Sequence, residues 1–161
     1  MDSNLPKRRV LIVDDHSIDR DELVALINRQ PDLICCSQTD RSLSTSAAIA
    51  LEKPDLVLLS FTLNNGDALA MANSLSLEFP SLQMLIFSPC DEVLYAERAL
   101  QAGARGYIMK QEPAEEFLSA IRTILRGKIY LSHNMSVRLV QRVLKPGSHP
   151  LKQPPRRTKD S

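Results

Sequence analysis

Five polar residues each stand directly behind a short apolar run. Asp14 and Asp15 follow Val10-Leu11-Ile12-Val13, Ser60 follows Leu56-Val57-Leu58-Leu59, Ser88 follows Met84-Leu85-Ile86-Phe87, and Lys110 closes Tyr107-Ile108-Met109. Short, continuous apolar runs bounded by turn residues read as strands buried on both faces, which lie in the middle of parallel sheets covered by helices. In open α/β sheets the ligand crevice lies just outside the carboxyl ends of the strands. These polar residues therefore fall on the rim where chemistry is expected. Each has a plainer use: Asp14 and Asp15 as caps of the following helix, Ser88 as a cap of another, Lys110 as a solvated charge. Their coincidence on one rim is what argues for a site. Ser60, behind the run introduced by Pro54-Asp55, occupies its centre, and a serine hydroxyl is a weak nucleophile that needs an adjacent base.

The elements that must hold these residues alternate. The sequence predicts strands at 10–13, 33–36, 55–60, 83–88 and 107–110. Helices are expected from Ser17 to about Arg29, from Ser42 to Glu52, after Asp67 as N-cap, from Asp91 to Ala102, and from Pro113 to Arg126. Leu23, Leu26 and Ile27 form one apolar helix face, and Phe117, Leu118, Ile121, Ile124 and Leu125 another. Asn64-Asn65-Gly66 is a turn, Gly103 suits a C′ position, Pro113 suits a first helical turn and Gly127 ends the last helix of the series. Five strand–helix units in strict alternation mean an α/β fold, a doubly wound five-stranded parallel sheet with right-handed crossovers. A short sixth helix, Met135 to Leu144, follows.

Composition excludes several classes. The 161 residues are 43% hydrophobic, enough for one core, with no tryptophan. Whole-chain net charge is +1, which advertises neither a nucleic-acid nor a membrane partner. No apolar run reaches the roughly 18 residues of a membrane span, and the N-terminus lacks a signal peptide's apolar region, so a cytoplasmic location is expected. Cys35, Cys36 and Cys90 have no metal-site spacing and read as small buried hydrophobes; His16, His133 and His149 are scattered. Residues 146–161 hold four of the ten prolines and four basic residues against one acid, so they read as a disordered basic tail of net +3, leaving about −2 elsewhere.

Val13-Asp14-Asp15-His16, Pro54-Asp55-Leu56-Val57-Leu58-Leu59, Ala102-Gly103-Ala104-Arg105-Gly106-Tyr107 and Ile108-Met109-Lys110 resemble the receiver domain of two-component response regulators. Asp15-His16 and Gly127-Lys128-Ile129-Tyr130-Leu131-Ser132 resemble the NarL/FixJ subfamily, which adds a DNA-binding helix-turn-helix. The resemblance covers residues 9 to about 144, and it implies the flavodoxin-like strand order 2-1-3-4-5. On it, the chain divides into an N-terminal arm (1–8), a receiver-like domain (9–127), a linker with an extra C-terminal helix (128–145) and the tail (146–161).

The resemblance also assigns roles residue by residue. Asp14 and Asp15 match the acidic pair that holds Mg²⁺, Ser88 the hydroxyl that clamps the phosphoryl group, Lys110 the lysine that neutralises it, and Tyr107 the switch aromatic. The phosphoacceptor aspartate falls on Ser60. Phosphoryl transfer in this fold is largely positioning and charge neutralisation around a carboxylate nucleophile. With serine there, no acyl phosphate is expected, and Mg²⁺, not required, binds weakly at best because one carboxylate ligand is missing. Asn64 and Ala68 also depart from the family, which has proline and glycine there. Asp55 is a poor substitute acceptor, lying at the other end of its strand about 15 Å away at about 3.3 Å per residue; Asp67 is better explained as a cap.

The expected function is therefore that of an atypical response regulator, a pseudo-receiver that is no enzyme and acts through a protein partner: a histidine kinase, another regulator or a second copy. The faces expected to serve are the fourth helix–fifth strand–fifth helix surface and the first and fifth helices. With only a Pro-rich tail after residue 144, no specific DNA binding is expected. The alternatives are a phosphoreceiver using another acceptor and a truncated DNA-binding regulator.

Overall fold

The computed structural model describes residues 6–14, 17–39, 42–61, 68–89 and 92–144. Asp15, Asp67, Cys90, the turn Asn64-Asn65-Gly66 and the basic tail lie outside them.

Five strands, β1 (Arg8–Val13), β2 (Leu33–Thr39), β3 (Leu56–Ser60), β4 (Met84–Ser88) and β5 (Gly106–Met109), form one sheet in the order β2-β1-β3-β4-β5. Every pairing is parallel. All five residues of β3 and of β4 are buried, as their unbroken apolar runs require of strands covered on both faces. Helices α1 (Ser17–Asn28) and α5 (Ala114–Leu125) share one core with alternate strand residues: Ile27, Phe117 and Ile121 pack with Val10, Leu58, Leu85 and Phe87. On α2 (Ser42–Glu52), α3 (Ala68–Glu78) and α4 (Glu92–Gln101), apolar residues such as Ile49, Ala72 and Ala99 are buried.

Several boundaries differ from the sequence reading. β1 begins at Arg8, because Arg8 N–H bonds the Asp32 carbonyl at 3.0 Å and Arg9 N–H the Asp55 carboxylate at 2.7 Å. β2 continues through the polar residues Ser37 to Thr39. Its register slips between Val10 and Leu11, where Val10 pairs with Cys35 and Leu11 with Ser37, so Cys36 is the extra residue of a bulge. Cys35 and Cys36 are consequently half-buried rather than fully buried, and desolvation pushes the Cys35 thiol up to about 11. Pro113 is the N-cap of α5, with ψ of 161°, and not part of its first turn; Glu115 and Glu116 supply negative charge at that end. Gly103 and Gly127 have φ of 107° and 84°, the left-handed conformation that favours glycine after a helix.

The chain divides into two compact units after Tyr130. Residues 128–130 join the first, where Tyr130 N–H bonds the Arg105 carbonyl at 2.9 Å, pairs with Gly106 and reaches Glu116 through its hydroxyl. The second contains α6 (His133–Leu144), two residues longer at its start than expected; Ser132 Oγ accepts Met135 N–H at 3.1 Å, a capping bond that fixes the entry.

Arg122 of α5 grips Asp32, just before β2, through two bonds of 2.9 Å, and also donates to Gln30 Oε1 at 3.2 Å. The guanidinium holds the Asp32 carboxyl below its ordinary value. A carboxyl lowered in the folded state stabilises it above the unfolded value and loses that contribution as pH falls through the folded value. Asp32 is about half exposed (51%), so solvent screening keeps the pair small. Urea unfolding of Arg122→Met should show a loss of under about 1 kcal/mol at neutral pH. The loss should shrink toward zero as the carboxylates protonate; a pH-independent difference would count against the ion pair.

Candidate functional site

Strand order reverses between β1 and β3, so the crevice beyond their carboxyl ends is the place for a site in this architecture. The register decides what stands there. Val13 pairs with Leu59, which sets Asp14 beside Ser60; Ser60 pairs with Phe87, which sets Ser88 one step further; Ser88 pairs with Met109, with Lys110 next. Backbone bonds continue the ladder past the strand ends, Phe61 N–H to the Phe87 carbonyl at 2.8 Å and Lys110 N–H to the Ser88 carbonyl at 2.7 Å.

Asp14, Ser60 and Ser88 are each fully buried. Lys110 reaches over β4 toward β1: its Nζ lies 5.3 Å from the centre of the Phe87 ring and 3.7 Å from Asp14 Oδ2. A buried carboxylate is costly without a partner, and this lysine, itself only 19% exposed, supplies the opposite charge. Thus Asp14, Ser60, Ser88 and Lys110 come together on one rim, while Asp15 falls outside the described residues. Asp55 lies at the opposite end of β3, with Arg9 N–H and, at 3.6 Å, Arg8 Nε on its carboxylate.

Three further groups complete the site and were passed over in the sequence. Arg20, in the first turns of α1, donates from Nη1 to the Asp14 carbonyl at 2.6 Å and from Nε to Gln38 at 3.1 Å. Its spacing of six residues from Asp14 was the available signal, since one helical turn brings it back over the rim. Phe61, directly after Ser60, packs against Tyr95 of α4 with ring centres 4.8 Å apart and meets Tyr107 edge-on at 6.3 Å. Tyr107 is only 1% exposed, so its ring lies inside, under this cluster.

The donor set can be tested against the divalent cation that the resemblance implies. Hard cations take oxygen ligands, with carboxylates supplying charge. Among the described residues no three Asp, Glu, His or Cys side chains converge. The described rim offers one carboxylate, Asp14, already facing a lysine, and a neutral hydroxyl at position 60. Asp15, the second acid of the pair, lies outside the described residues, so the described part of the set brings one carboxylate toward such an ion.

Residues 10–122 match the sequence profile of the response regulator receiver domain. The chain belongs to that family. It is 29% identical over 133 residues to the oxygen regulatory protein NreC of Staphylococcus carnosus, covering 82% of this chain and 61% of that protein. NreC of Staphylococcus aureus gives the same figures. The chain thus spans about three fifths of the length of these relatives. Among solved structures, a two-component response regulator of the LuxR family from Aurantimonas superposes with a TM-score of 0.79 at 24% identity, covering 86% of this chain and 99% of that one. The isolated receiver domain of RcsB from Salmonella enterica, solved with the phosphomimetic BeF₃⁻, superposes with a TM-score of 0.72 at 16% identity, covering 81% and 97%. These structures carry the fold: the five-stranded parallel sheet in the order 2-1-3-4-5 is that of this receiver. It is a signalling module of two-component systems, and no described helix is long and apolar enough to cross a membrane.

Proposed function

We propose that this receiver works as a pseudo-receiver, recognised by a protein partner without phosphorylation at the usual position. The observation that carries this is Ser60: a fully buried hydroxyl ends β3 where the family's acceptor carboxylate belongs. A hydroxyl there neither forms an acyl phosphate nor gives a metal its third carboxylate. Asp14, Ser88 and Lys110 keep the form of the site, with Lys110 neutralising Asp14 instead of an incoming phosphoryl group. Mg²⁺ is not required and binds weakly at best. The protein is no enzyme; its partner is a histidine kinase, another response regulator or a second copy, met through the α4–β5–α5 surface or through α1 and α5. It works in the cytoplasm and makes no sequence-specific DNA contact through the described residues.

The test is direct. Acetyl phosphate with Mg²⁺ should add no phosphoryl mass to the chain, and beryllofluoride with Mg²⁺ should leave its backbone amide spectrum unchanged. A phosphorylated peptide containing Asp55 or Asp67 would overturn the proposal in favour of a non-standard acceptor.

A further inference from the structure

Eight large apolar side chains are exposed among the described residues, and four of them, Val137, Val140, Val143 and Leu144, belong to α6. Val143 and Leu144 are 71% and 74% exposed. At 3.6 residues per turn Val137, Val140 and Leu144 fall in one stripe, with Val143 beside it. Arg138 and Arg142, four apart, lie on the far side of the same helix, which contains no acid. Beyond it the sequence continues with Lys145 and four more basic residues against the single Asp160. Residues 133–161 therefore hold seven basic residues and one acid, net +6, and since the whole chain carries +1, residues 1–132 carry −5. Near-neutrality of the whole conceals a strongly polar charge distribution.

We propose that α6 and the basic stretch behind it bind the surface of an anionic lipid bilayer, the helix lying in the interface with its valine–leucine stripe toward the acyl chains. A helix of 12 residues is about 18 Å long, too short for a hydrocarbon core of about 30 Å, so it lies on the membrane and does not span it. The choice of occupant follows from charge and apolarity. A second copy would bring two segments of net +6 together, and like charges oppose that pairing. A nucleic acid satisfies the charges but leaves the apolar stripe in water. An anionic bilayer meets both needs, and it combines the two signals, apolar insertion and a polybasic patch, that peripheral anchoring requires.

Cosedimentation of the full chain with lipid vesicles tests this. Partitioning into phosphatidylcholine vesicles containing phosphatidylglycerol should exceed that into phosphatidylcholine alone by at least about tenfold at low salt, and should fall as salt rises. Val140→Asp, at a position 56% exposed and so harmless to the fold, should lower the anionic partitioning by about tenfold. Three results would overturn the proposal. One is equal partitioning into both vesicles. Another is undiminished binding by Val140→Asp, which would assign the effect to the tail charges alone. The third is a dimer, formed without lipid and abolished by Val140→Asp, which would assign the stripe to a second copy.

Discussion

Ser60→Asp is expected to take up a phosphoryl group from acetyl phosphate in the presence of Mg²⁺, where the wild-type chain is expected to take none. The register places position 60 between Asp14 and Ser88, with Lys110 Nζ on the Asp14 carboxylate at 3.7 Å. The substitution supplies the nucleophilic carboxylate and a further oxygen ligand together, while the lysine and the Ser88 hydroxyl are already on the rim. It also sets a second carboxylate beside a fully buried one. Without metal the variant should therefore lose several kcal/mol of stability, of the order found for uncompensated buried charges, and Mg²⁺ should restore much of it. Intact-mass spectrometry and urea unfolding with and without Mg²⁺ read both effects. A variant that folds but stays unmodified would show that the rim has diverged beyond position 60.

The second large effect belongs to Lys110. Lys110→Met keeps an apolar stem over Phe87 but removes the charge facing Asp14, leaving a fully buried carboxylate with its cationic partner gone. Breaking a buried pair from one side costs about 3 kcal/mol or more, because the remaining charge is still desolvated. Adding Asp14→Asn should recover a good part of the loss, since the two substitutions act on one interaction. If Lys110→Met unfolds at the wild-type urea midpoint, the lysine is not what makes Asp14 tolerable in the interior.

The sheet was legible in the sequence because β3 and β4 are short unbroken apolar runs, and a strand buried on both faces has no other way to be written. The rim was legible for the same reason: once strand ends are located, the residue after each is known. What escaped depends on distant partners. The polar end of β2 reads as a loop until the bulge at Cys36 shifts its register against Leu11. Tyr130 reads as linker until its backbone is seen bonded to Arg105, 25 positions earlier in the chain. Phe61 gives no sign in sequence that its ring closes over Tyr107, since that contact spans two elements and nearly fifty residues.

The two margins of the sheet bear on how this protein can meet others. A margin strand with its backbone groups open invites another chain to add a strand. Here β5 is only four residues long, and the segment at Tyr130 already pairs alongside Gly106. At the other margin the bulge at Cys36 kinks β2 and breaks the even spacing that an incoming strand would follow. Neither side offers a long flat ladder, so the sheet resists growing into a larger one or seeding fibres. A partner that meets the proposed surfaces would have to match side chains rather than copy a backbone.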